Sequence, residues 1–144
     1  MEINKDNVQM AINIMIRAKV HGQKLDMREW QKISPNHIIK ITESSVYNFF
    51  IPCCMAGFIA VSPEFQACGG EVGLWGHPVL NGCGEALSEW FNIDQVEAEA
   101  LACADNLDDE KIPEYSGKKL EDITFNDVIS VLERLRDTGT IYPD

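Results

Sequence analysis

Cys53 and Cys54 stand side by side immediately after Pro52, and His77 lies further along in a glycine-rich stretch. Proline suits the first turn of a helix, so both thiols are expected at a helix start. Unpaired amide N–H groups and the helix dipole there favour a thiolate. His77 could serve as its base, which makes a thiol enzyme using Cys53 or Cys54 with His77 one reading. The competing reading is that both cysteines are small core residues, as cysteine often is. A metal reading fares worse. The remaining cysteines are Cys68, Cys83 and Cys103, and no C-x-x-C or H-x-x-x-H pair is present. Zinc needs ligands in such tight pairs, so no metal and no cofactor are expected.

The glycine-rich stretch, residues 62–84, contains Gly69-Gly70-Glu71-Val72-Gly73 and Gly82-Cys83-Gly84. Neither run matches a nucleotide-binding loop, and no lysine lies within the stretch, so nucleoside triphosphate hydrolysis is excluded. Trp75, His77 and Asn81 in this stretch, with Trp90 beyond it, offer aromatic and amide groups for a small polar ligand. A small-ligand-binding or sequestering protein is therefore a second reading.

The charge distribution favours a third. The 144 residues carry 12 Lys+Arg and 23 Asp+Glu, a net charge of -11. Residues 1–83 hold seven acids and seven bases, so the whole imbalance falls in residues 84–144. Asp105, Asp108, Asp109 and Glu110 are four acids in six residues, and Glu114 follows. A calcium loop would alternate carboxylates around a central glycine, which this run lacks. Excess negative charge excludes general binding of phosphate backbones and of anionic lipid. It suits a protein with a basic surface, because opposed potentials speed encounter and reject wrong partners. If that partner normally holds nucleic acid, the carboxylates would compete for its phosphate sites.

These residues must be positioned by a fold. The 45% apolar share is enough for a packed core, and the length suits a single domain, 1–144. Val8, Ala11, Ile12, Met15, Ile16 and Val20 recur at helical spacing from about Asn4 to His21. Asn4 or Asp6 can cap that helix, and Gly22 can follow its end. Asp26 and Glu29 suggest a short helix closed by Pro35. Residues 37–51 are rich in β-branched and aromatic types and predict a short hairpin. Cys53–Val61 is apolar on every side and predicts a buried central helix. Residues 62–84 read as the longest irregular segment. Further helices are expected from Gly84 to Phe91, from Asp94 to about Ala104 with Asp94 and Glu97 as a capping box, and from Thr124 to Gly139. The last has Asp127 at the capping-box position and Val128, Ile129, Val131, Leu132 and Leu135 on its inner face. The fold expected is mainly α, with about five helices around the apolar segment and a small β-hairpin.

No stretch of about 18 apolar residues occurs, so no membrane helix is expected. The opening residues lack a basic run followed by an apolar one, and five cysteines with two adjacent do not resemble a disulfide framework. A cytoplasmic location follows as the expectation.

Asp26-Met27 with Trp30, then Cys54-Met55-Ala56-Gly57-Phe58, then Glu85 to Ile93, then Asp127-Val128-Ile129 fall in a suggestive order. In this the chain resembles a loose group of small proteins encoded by bacteriophages and bacterial mobile elements. Those proteins often carry Cys-Gly-Thr, two residues, then Cys-x-Ala-Gly and an aromatic or His. Here Phe49 stands where the first cysteine would fall and Phe50-Ile51 replace Gly-Thr, so no two-cysteine role carries over. The resemblance implies a phage origin and a place in the infected host's cytoplasm, and it implies no reaction. The leading expectation is a non-catalytic accessory protein that binds a host protein through its acidic C-terminal region, with inhibition as one outcome that binding could have. Asp105, Asp108, Asp109, Glu110 and Glu114 are its expected contacts.

Overall fold

The computed structural model describes residues 2–25, 27, 54–73, 78–80, 86–102, 111–119 and 122–143. Among them the chain is mainly helical, with one two-stranded antiparallel hairpin. In order the elements are α1 (Lys5–Val20), α2 (Met55–Ala60), α3 (Pro63–Ala67), β1 (Gly70–Val72), β2 (Pro78–Leu80), α4 (Ala86–Phe91), α5 (Gln95–Ala102) and α6 (Phe125–Thr138).

The Asn4 side chain caps α1 by accepting from the Asn7 amide at 3.1 Å. Beyond the helix, Gly22 takes a φ of 74°, the left-handed conformation glycine allows cheaply. The buried residues of α1 are Val8, Ala11, Ile12, Ile14, Met15 and Ala18. Ile16 and Val20, expected on that face, are 45% and 76% exposed. At 100° per residue, Ile16 lies about 40° and Val20 about 80° beyond Ile12, the edge of the buried arc. Ile14 and Ala18 extend the arc on the other side.

Helix α6 is the chief neighbour of α1. Lys19 Nζ reaches Asn126 Oδ1 at one end, and Arg136 Nη1 reaches Gln9 Oε1 at the other, so the two helices run antiparallel. The capping box of α6 is present as expected, with Thr124 and Asp127 each bonding the other's backbone N–H. Gly139 ends it in the left-handed conformation. Val128, Val131, Leu132 and Leu135 are buried, and Ile129 packs against the core from its margin.

All six residues of α2 are buried, as an all-apolar helix requires. It starts two residues later than the sequence suggests: Cys54 is its N-cap, extended at ψ 175° and with no side-chain cap bond. Pro52 and Cys53 lie outside the described residues, as do the short helix expected after Asp26 and the hairpin expected over 37–51.

The segment 62–84 is a correction, because much of it is regular. Ser62, fully buried, donates to the Ile59 carbonyl at 2.7 Å and accepts from the Phe65 amide at 3.2 Å. That hydroxyl closes α2 and opens α3, with Pro63 in the first turn. Gly69, at φ 94°, then turns the chain into β1. Gly70 pairs with Leu80, Glu71 with Val79 and Val72 with Pro78. The hairpin among the described residues therefore lies inside the glycine-rich segment.

Helix α4 ends at Asn92, which takes a φ of 56°. Ser88 Oγ donates to the Ile93 carbonyl at 2.7 Å and fixes that turn. Helix α5 is capped at one point only, by Asp94 Oδ1 accepting from the Val96 amide at 2.8 Å. Glu97 does not complete the expected capping box. Its carboxylate accepts from Thr140 Oγ1 and from the Ile141 amide instead. A long-range pair of donors has taken a group that local spacing assigned to the helix start.

Candidate functional site

Of the five carboxylates expected to contact a partner, Asp105, Asp108, Asp109 and Glu110 lie outside the described residues. Glu114 is described, and it faces inward. Its side chain is 13% exposed, and Oε2 accepts from Arg134 Nη2 and from Ser130 Oγ. Burial pushes the carboxyl up, but the Arg134 and Ser130 hydrogen bonds and the Arg134 charge outweigh it and hold it below its ordinary value. Of the expected contacts, Glu114 is thus largely buried and engaged in holding the fold.

The residues beside it form a small buried platform. Ile112, Tyr115 and Leu101 are fully buried. The Tyr115 hydroxyl donates to the Leu101 carbonyl at 3.3 Å, one of the end carbonyls that α5 cannot satisfy internally. Burial, with the negative charges of Glu114 and Asp127, pushes the phenol well above its ordinary pKa. Helix α5 and the turn at 112–117 are in this way tied together on both sides of the acidic run.

The fate of the basic groups in this half is the main electrostatic fact. Arg134 pairs with Glu114, Lys118 with Asp127 at 2.6 Å, and Arg136 with Asp137 at 2.8 Å. Three of the five bases of residues 84–144 are therefore neutralised internally. Glu89, Asp94, Glu99, Asp122 and Glu133 are exposed and have no ion pair among the described residues. Some of this charge borders an open groove at the start of α1, lined by Asp6, Glu89, Asn92 and Asp137 among others. Local spacing gives no sign of that groove, since its residues come from three helices distant in sequence.

The other two readings depend on residues the structure places in part. Trp75, His77 and Asn81 lie outside the described residues. Trp90 belongs to the core at 3% exposure, edge-on to Phe65 with ring centroids 5.2 Å apart. Among the described residues its indole N–H has no hydrogen-bond partner, and its ring packs against Phe65 and Phe91. Cys53 and His77 are not described, while Cys54 is fully buried. Burial disfavours the thiolate, so the Cys54 side chain gives the thiol-enzyme reading no support. Among the described residues no three His, Cys, Asp or Glu side chains converge as metal ligands, and no helix is long and apolar enough to cross a membrane. Comparison with family models, curated proteins and solved structures finds no match to this chain.

Proposed function

We propose that this protein is a non-catalytic accessory protein that binds a host protein through its acidic region. The partner carries a basic surface, and Asp105, Asp108, Asp109 and Glu110 are the principal contacts. The resemblance stated above adds a phage origin and action in the host cytoplasm.

One observation supports this reading best. Three of the five bases of residues 84–144, Lys118, Arg134 and Arg136, are engaged with Asp127, Glu114 and Asp137. Glu89, Asp94, Glu99, Asp122 and Glu133 are exposed and make no ion pair among the described residues, and a net negative field of this kind steers a basic partner into contact.

The test replaces Asp105, Asp108 and Asp109 by Asn and Glu110 by Gln, and compares this variant with the parent. Binding to a defined lysine-rich peptide should weaken by at least about 10-fold in dilute salt. The two proteins should converge at 1 M salt, where the Debye length is about 3 Å. Host-lysate capture should lose the same species in the variant that salt removes from the parent. Equal peptide affinity in dilute salt, with identical capture, would refute the proposal.

A further inference from the structure

We propose that residues 139–143 form a releasable strap, held by the Glu97 carboxylate and by an Arg134 guanidinium that also grips Glu114. The device stands whether or not the acidic region binds a partner.

Within the strap, Thr140 and Ile141 are tied to the body by side chains. The Thr140 amide donates to Thr138 Oγ1 at 3.4 Å, and the single Thr138 hydroxyl proton lies between the Arg134 carbonyl at 2.7 Å and the Thr140 carbonyl at 3.1 Å. The Ile141 amide donates to Glu97 Oε1 at 3.2 Å, and the Ile141 carbonyl accepts from Arg134 Nη1 at 2.7 Å. Thr140 Oγ1 adds a second bond to the same Glu97 oxygen at 2.6 Å. Among the described residues no main-chain ladder or helical bond secures these two residues, so their polar ties do not share the cooperativity of a helix or sheet. Below them, Ile141 is fully buried. The strap therefore covers apolar surface while the polar ties of Thr140 and Ile141 to the body run through two ionised side chains. Segments of this kind open below the free energy of global unfolding.

Arg134 makes the strap more than a passive tail. One guanidinium nitrogen holds the Ile141 carbonyl, and the other holds Glu114 on the turn that follows the acidic run. Its rigid fork fixes both at once. Losing Glu114 frees the guanidinium to turn to solvent and weakens its hold on Ile141, although Glu114 does not touch the strap. By reciprocity, opening the strap loosens the Glu114 turn.

Amide hydrogen exchange read by NMR tests both parts. In the parent, the Ile141 amide should have a protection factor at least 10-fold below that of Leu132 in α6. Glu97→Ala should lower Ile141 protection by a further factor of about 10 to 100, the range expected when a buried amide loses its acceptor, and leave Leu132 unchanged. Glu97→Gln keeps an acceptor oxygen and should restore most of it. Glu114→Ala should lower Ile141 protection several-fold. Equal protection of Ile141 and Leu132 in the parent would overturn the strap, and that measurement needs no variant to fold. Parallel loss at both amides in Glu97→Ala would likewise show that Glu97 holds the whole fold. An unchanged Ile141 amide in Glu114→Ala would overturn the relay through Arg134.

Discussion

Gly70 offers a severe test of the packing around the hairpin. An added Cβ at this position would lie 2.3 Å from Cδ2 and Cε2 of Phe65 and 2.7 Å from its Cζ. Phe65 is fully buried and edge-on to Trp90, so its ring cannot move without disturbing a second aromatic. Gly70 does not have a positive φ, and the backbone itself would accept alanine. Removing a glycine normally gains about 0.5–1 kcal/mol through the unfolded chain. Overpacking a core costs about 1–3 kcal/mol. Gly70→Ala should therefore destabilise by about 1–2 kcal/mol, read from the urea midpoint at unchanged slope. The cause is checked in a double-mutant cycle with Phe65→Val, which removes all three obstructing atoms. Phe65→Val alone should cost less than the about 3–5 kcal/mol of truncating a buried Phe to Ala. In its background Gly70→Ala should be neutral or stabilising, giving a coupling of about 1–2 kcal/mol. A neutral Gly70→Ala in the parent, or the same loss in both backgrounds, would refute the placement of β1 against Phe65.

Asp127 supplies a pH-dependent prediction. Burial raises its pKa, but hydrogen bonds from Lys118 and from the Thr124 amide and hydroxyl outweigh this and leave it depressed. A depressed native pKa gives stability that is present above the unfolded value and lost as pH falls through the native one. The parent should exceed Asp127→Asn by about 1 kcal/mol at neutral pH, with the gap closing below about pH 4. A gap unchanged from pH 7 to pH 3 would contradict that role. Tyr115 makes a contrasting case at alkaline pH, where its buried phenol should ionise only as the protein unfolds. Absorbance titration should lose that late component in Tyr115→Phe, and a fully reversible, early titration of every tyrosine in the folded parent would contradict its burial.

Local signals in the sequence located what depends on local bonds. Asn4, Thr124, Asp127 and Gly139 act at helix ends where residue type and spacing suffice, and all four serve as expected. The all-apolar Met55–Ala60 helix is buried for an equally simple reason. The hairpin was harder to see. Its strands are three residues each, too short for an alternation pattern, and glycine and proline in them read as loop. The candidate site was least legible where partners are distant. Nothing within α5 shows that Glu97 will bond Thr140 and Ile141, and nothing around Glu114 points to Arg134. Trp90 shows the same limit, since its neighbours Phe65 and Asn7 come from other elements.

That limit matters for testing the acidic region, because its carboxylates are of two kinds. Glu97, Glu114 and Asp127 accept bonds that hold the fold, so neutralising them alters stability and charge together. Glu89, Glu99, Asp122 and Glu133 are exposed and make no ion pair among the described residues. Replacing these four by Gln or Asn removes as much charge as the variant at 105–110 and should shift stability by less than about 0.5 kcal/mol. This charge-matched control separates location from total field. Binding to the lysine-rich peptide should fall by less than about 3-fold in the control, against at least about 10-fold in the 105–110 variant, at the same dilute salt. Equal losses would mean that the partner reads the overall potential of this half, and the assignment of contacts to 105–110 would be wrong even though the protein binds basic partners.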